Sequence, residues 1–410
     1  MCDTDRRRLL TAGIMTVAAA GLGASPGALA GADTLFICPP CGCSMDGVFF
    51  KQGGTCPACG MTLVGFDPKI APARRGPLDF DGCIRSHVEA HRFSGAVLVA
   101  RGSEILFSQA YGYAQAEWEV PSTPRGRFRV GSITKPFTAT AVLQLAAAGA
   151  LGLDDPICKY LTDCPPSWQP VKVSQLLNHT SGIPDYMMLQ SFWKDFLMLK
   201  SKAQMVASFS GQPLLFAPGS RFSYSNSGYY LLGLIIENVT RKSYEDALQA
   251  QIFRPLGLAD TGYEHDDPII RDRVAGYRLG PKQELLNALY CDMNQPFAAG
   301  GLYSTTGDLL KFARSFGGST LLSARYRALM ETPGKGAHGY GWYAGPAPGF
   351  HSGREISHGG NINGFSAWLS RFPEENVVLV VLSNLQDTNS RQVALDLYSV
   401  LHREPYATPA

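Results

Sequence analysis

At 410 residues the chain exceeds one ordinary core of about 150 residues, which predicts two lobes or one large domain with an appendage. Apolar residues make up 45% and charged residues 17%, with 44 Gly and 27 Pro, a soluble globular, loop-rich balance that excludes fibrous and disordered classes. Lys and Arg total 36 against 34 Asp and Glu, leaving +2 with no long run of one sign beyond Arg6, Arg7 and Arg8, so no nucleic-acid partner is expected.

Residues 1–30 combine that arginine cluster with a Gly/Ala-rich apolar stretch from Leu9 onward and close on Ala28-Leu29-Ala30, a small-x-small cleavage pattern. The segment reads as an export signal. Because Arg6 and Arg7 are followed by Arg8, Leu9 and Leu10, it resembles a twin-arginine signal, the kind associated with export of already folded proteins. An uncleaved membrane anchor is the alternative reading of the same stretch. No later apolar run reaches spanning length, so the expectation is an exported protein, periplasmic or extracellular, without a membrane span once the signal is removed.

Residues 33–65 form a cysteine-rich unit. "CPPCGC" and "CPACGM" give two C-x-x-C pairs, Cys38/Cys41 and Cys56/Cys59, separated by 14 residues. Each knuckle points two sulfurs to one side, so the four thiolates suit one tetrahedral ion; a pair of disulfides is the alternative, although Cys43 makes five cysteines, which cannot all pair internally. Zinc is the default for four thiolates, while Met45, Met61 and Cys43 leave Cu(I) open. "CPACGMTLV" resembles the small heavy-metal-binding domain of metal-efflux proteins and copper-transporting ATPases, and zinc ribbons, over about 30 residues. A thiolate site loaded before export would reach the oxidising side already protected.

A Gly/Pro-rich linker at 66–79 leads into the large domain, 80–405. "FSGAVLVA" (93–100) and "EILFSQAYGYA" (104–114) read as a hairpin joined through "RGS", and "RFRV" adds a short strand before Ser132. "TKPFTATAVLQLAAAG" (134–149) reads as a helix, with Pro136 near its first turn and Gly149 at its end. A helical lobe spans about 140–290, with "GYYLLGLIIENVT" and "YEDALQAQIF" among its helices; Cys158 and Cys164 fit either a small disulfide loop or two buried thiols. Strand signals return in "GFSAWLSRFP" (364–373) and "NVVLVVLSN" (376–384), before a closing helix near 390–402. Two β-containing ends around a helical middle predict a bilobed α/β domain whose sheet is built from both termini.

With a helix starting near Ser132, Ser132 and Lys135 lie one turn apart on one face, close enough for the amine to approach the hydroxyl. A serine needs a base to become a useful nucleophile, and a lysine serves once burial or neighbouring cations lower its pKa. Taken alone the pair reads as a helix cap and a solvated charge, and its context changes that. "YSNSGYY" (224–230) adds Tyr224, expected to lose its proton more easily beside a lysine cation and so to carry a proton, and Asn226, suited to hold both Lys135 and a substrate amide. "ISHGGNINGF" places His358-Gly359-Gly360 before a strand-like segment, with two glycines that allow a substrate backbone to lie close.

In this order the three pieces resemble the serine β-lactamase and penicillin-binding protein family, in its class C β-lactamase and D,D-carboxypeptidase branch. "LLNHTSGIPDY" (176–186), "PGSRFSYSNSGYYLLGLIIE" (218–237), "FRPLGLADTGY" (253–263) and "AAGGLYSTTGDLLKFA" (298–313) extend the resemblance over about 80–400. It implies an antiparallel sheet lobe flanked by helices plus a helical lobe, with the active site in the cleft between. Ser132 would be the acylated nucleophile, Lys135 and Tyr224 the proton-transfer groups, and Asn226 a holder of substrate and lysine. His358, Gly359 and Gly360 would line the opposite wall, and the backbone N–H groups of Ser132 and Asn361 would form the oxyanion hole, with no cofactor in catalysis. Where class C β-lactamases carry Lys-Thr-Gly this chain has His358-Gly359-Gly360, losing a fixed cation and a hydroxyl. The expectation is therefore an acyl-enzyme hydrolase of a small-molecule or peptide amide or ester, with a true β-lactamase, or a metal-binding sensor on a non-catalytic hydrolase fold, as alternatives.

Overall fold

The structure is a computed structural model that describes residues 35–37, 49–55, 57, 63–66, 78–346, 353–404 and 406. The leader 1–30 and the ligand set Cys38, Cys41, Cys56 and Cys59 lie outside the described residues. Of the cysteine-rich unit, the short strands Leu35–Ile37, Phe49–Phe50 and Val64–Phe66 are described; they pair antiparallel, with the first in the middle.

The large domain begins with helix α1 (Phe80–Glu89), capped by the Asp79 carboxylate, which accepts from the Gly82 N–H at 2.7 Å. Strands β1 (Gly95–Arg101) and β2 (Glu104–Tyr111) follow as the expected hairpin. Its turn needs Gly102, whose φ of +57° lies in the left-handed region that suits tight hairpin loops. The remaining strands of the same sheet come from the C-terminal third: β3 (Tyr343–Gly345), β4 (Glu355–Ile362), β5 (Phe365–Phe372) and β6 (Val377–Ser383). The order is β3-β4-β5-β6-β1-β2 and every pairing is antiparallel.

The sequence "VVLVVLS" of β6 is buried throughout because both faces of the sheet are covered. Val377, Leu379 and Val381 meet one core with α1 and the C-terminal helix Ser390–Leu401, whereas Val378, Val380 and Leu382 meet the larger core shared with the helical lobe. At the centre of that lobe α2 (Thr134–Ala147) is buried on nearly every side, and Phe137 stacks on Phe312 with centroids 3.7 Å apart. The helix α3 (Asn226–Thr240) lies beside it, its N-terminus capped by Ser225, whose hydroxyl accepts from the Gly228 N–H.

The middle of the chain is helical as expected, in short pieces such as Lys202–Ser210 and Tyr244–Leu248, with a small hairpin at Tyr277–Leu279 and Leu285–Asn287. Of the two readings left open for Cys158 and Cys164, the structure has the disulfide. Among the described residues no helix is long and apolar enough to cross a membrane.

Candidate active site

Ser132 sits on a single 3-10 turn, Gly131–Ile133, that runs straight into α2. The turn is pinned on both sides. The Val130 N–H donates to the Leu302 carbonyl at 3.0 Å, and the Leu302 N–H donates to the Thr134 hydroxyl at 3.1 Å. Gly131 has φ of +50°, and a Cβ there would lie 3.0 Å from the Asn361 backbone N and O. A Cβ on Gly360 would run into the Val130 carbonyl and approach the Ser132 nitrogen to 3.2 Å. Two glycines thus let β4 close onto the serine turn, bringing the backbone of Asn361 to the N-terminus of α2, where amides favour negative charge.

One turn on, the Lys135 amine is completely buried. Its Nζ lies 2.9 Å from Ser132 Oγ and donates to Asn226 Oδ1 and the Ala299 carbonyl, each at 2.8 Å. Burial pushes its pKa from 10.5 down to about 7, against a smaller opposing pull from the Asp185 carboxylate. A neutral amine fits the three contacts well: two N–H groups go to the two carbonyl oxygens, and the lone pair is left for the serine hydroxyl.

Tyr224 lies against this amine, its ring centroid 4.8 Å from Nζ. The expected acidification of Tyr224 is not met. Burial drives its hydroxyl well above the ordinary phenol range, outweighing the hydrogen bond with Ser132 that pulls the other way. The reason is that burial penalises the phenolate itself, while the amine beside it holds its proton only below about pH 7. Asn226 is the first residue of α3; its Nδ2 donates to Asp185 Oδ2 at 2.9 Å and meets Met187 Sδ at 3.3 Å.

The opposite wall differs from expectation in one respect: His358, Gly359 and Gly360 lie inside β4, paired with Leu369, Trp368 and Ala367, rather than ahead of a strand. The two glycines hide the strand from a propensity reading, and pairing with β5 overrides it. His358 is 3% exposed, and burial takes its pKa to about 3. Its Nδ1 sits 2.6 Å from the Gly359 carbonyl, which assigns the proton to Nδ1 and leaves Nε2 a buried acceptor with no hydrogen-bond partner among the described residues.

Several contributors were not singled out from the sequence. Asp185, from the quoted "LLNHTSGIPDY", orients Asn226, while Ala299, from "AAGGLYSTTGDLLKFA", lends only its backbone carbonyl. His179 stacks on Tyr224 at 4.4 Å and His338 lies edge-on to His179 at 5.2 Å; burial lowers the pKa of both, that of His338 to about 4. Tyr224 and Lys135 are therefore ringed by neutral imidazoles.

A profile described as Beta-lactamase matches residues 80–403. A penicillin-binding protein of Bacillus subtilis (strain 168) is 30% identical over 346 residues, covering 78% of this chain and 75% of the relative. Among solved structures, the octameric penicillin-binding protein homologue from Pyrococcus abyssi superposes with a TM-score of 0.70 at 27% identity, over 79% of this chain and 77% of its own. The D-amino acid amidase from Ochrobactrum anthropi SV3 superposes with a TM-score of 0.70 at 25% identity, over 79% of this chain and 97% of the amidase.

Proposed function

The chain belongs to the beta-lactamase family and is a serine hydrolase, and from that premise we propose that it cleaves an amide or ester through an acyl-enzyme on Ser132, acting as a peptidase, amidase or esterase. The observation that carries this reading is the buried Lys135 amine, 2.9 Å from Ser132 Oγ and with a pKa of about 7. Neutral Lys135 takes the hydroxyl proton as Oγ bonds to the substrate carbonyl carbon. The negative charge that moves to the carbonyl oxygen is met by the N–H groups of Ser132 and Asn361. As the C–N or C–O bond breaks, the Tyr224 hydroxyl gives its proton to the leaving group and is reprotonated from Lys135. Water then releases the acyl group by the same steps in reverse.

A D-amino acid amidase among its structural neighbours supports an amide of a D-amino acid as one substrate to try. An efficient β-lactamase is disfavoured because His358 offers a neutral acceptor where a β-lactam carboxylate needs a cation. Nitrocefin turnover is therefore expected to be slow. The deciding experiment treats the protein with a fluorophosphonate and reads intact mass: one adduct on Ser132, absent in Ser132→Ala, is expected, and Ser132→Ala should lose turnover by at least about a thousandfold. No adduct, or unchanged turnover in Ser132→Ala, would refute the assignment.

The same proposal places the enzyme outside the cytoplasm, on the strength of Arg6-Arg7-Arg8 and Ala28-Leu29-Ala30, with a structural Zn or Cu ion on Cys38, Cys41, Cys56 and Cys59. Mass spectrometry of the exported N-terminus, where loss of residues 1–30 is expected, and elemental analysis of the protein, where one metal per chain is expected, test the two parts.

A further inference from the structure

Between residues 187 and 199 the chain reads "MMLQSFWKDFLML", nine apolar residues in thirteen. A run of this composition ordinarily turns inward. Here only Phe192 is fully buried, packed against Tyr186 at 5.0 Å, while Met187, Met188, Trp193, Leu197, Met198 and Leu199 are exposed, Met188 by 82% and Leu199 by 72%. Six large apolar side chains in so short a segment present several hundred Å² of apolar surface, roughly the size at which an exposed patch marks a binding site.

One end of the patch touches a group that holds Lys135, and the other is tied to a residue four positions ahead of the second such group. At one end Met187 Sδ touches the Asn226 amide that accepts from the lysine through its Oδ1, and Trp193 Nε1 donates to the Met187 carbonyl at 2.7 Å, fixing the indole alongside. At the other end the Gln295 side-chain amide donates to the carbonyls of Phe196 and Met198, and Gln295 lies four residues before Ala299, the second carbonyl on Lys135. The segment thus abuts Asn226, which itself accepts from Lys135. Within the segment the charges are Lys194 and Asp195, which cancel, so nothing in it attracts an anionic surface.

We propose that this patch is the subsite for the acyl part of the substrate and that the enzyme's natural acyl donor carries a large apolar group. The inference rests on the hydrolase reading above: there Tyr224 serves the leaving group, so the Asn226–Met187 side is left for the acyl group. Rigid aromatic and flexible thioether side chains suit such a surface, because Trp193 supplies area at low entropic cost and Met187 and Met188 adapt to varied shapes.

The test measures kcat/KM for p-nitrophenyl acetate, butyrate and octanoate with the wild-type protein and with Met188→Ser, Leu199→Ser and Trp193→Ser. The wild type is expected to favour octanoate over acetate by about tenfold or more, since the longer chain takes six further methylenes out of water. Each variant should flatten that ratio, and Met188→Ser and Leu199→Ser, being almost fully exposed, keep the test valid if Trp193→Ser folds poorly. A flat chain-length profile in the wild type, or an unchanged octanoate-to-acetate ratio in Met188→Ser and Leu199→Ser, overturns the proposal. A change in oligomeric state or vesicle binding with the ratio intact overturns it equally and reassigns the patch. Failure of all three esters to acylate Ser132 in the wild type would instead sink the acyl-enzyme reading on which it rests.

Discussion

Lys135 is held by two carbonyl oxygens and cut off from water, which fixes the direction of its pH response. Because only the neutral amine can take the Ser132 proton, kcat/KM is expected to rise with pH through about 7 and then level, as a pH–rate profile would show. Asp185 favours the charged lysine, so Asp185→Asn should move that limb to lower pH. The same shift acts on stability with a definite sign: between about 7 and 10.5 the folded chain binds fewer protons than the unfolded one, so this group makes stability increase with pH across that window. On the facing wall, His358→Lys should speed acylation by benzylpenicillin about tenfold, the worth of one charge-assisted hydrogen bond, measured as a second-order rate of adduct formation. Ser132, Lys135, Tyr224 and Asn226 were legible because short spacings and motif order carry them. The Ala299 carbonyl, Asp185 and His338 were not: a backbone oxygen has no residue signature, and the contacts reach across long stretches of chain. The basicity of Tyr224 was misread because sequence names a neighbour without saying how dry the pair will be.

The approach of β4 to the serine turn depends on having no side chain at two positions. Gly360→Ala puts a methyl group into the Val130 carbonyl, so β4 or the turn must retreat. The expected result is a stability loss of about 1–3 kcal/mol in thermal or denaturant melts, together with at least a tenfold fall in kcat/KM, because the Asn361 N–H moves with the strand. A variant that lost stability but kept its turnover would separate the strand's packing from the proposed oxyanion hole. Of the elements themselves, α2 was readable from its Ala/Leu-rich run between Pro136 and Gly149, the β1–β2 hairpin from its β-rich runs and turn residues, and β6 from its unbroken apolar run. β4 was the harder one: "HGGNI" lacks the side chains that mark a strand, and its conformation comes from the partners on either side, β3 and β5.

One sheet is assembled from the two ends of the large domain, with the helical lobe inserted between them. That arrangement was legible as a whole, since strand signals cluster at both ends, while the pairing order was not, since nothing local tells β1 to choose β6. Ending the chain after Asn376 removes β6 and the last helix, and uncovers both cores; no cooperative melt is expected from such a truncation by calorimetry. The Leu98–Val380 register has a further consequence during synthesis. The β1–β2 hairpin emerges about 280 residues before the strand that covers its apolar edge, a wait of roughly 15–60 s on the ribosome at ordinary elongation rates. For that interval "AVLVA" is an open template for pairing with other chains, so a holdase bound to the nascent hairpin should determine how much of this enzyme reaches the folded state.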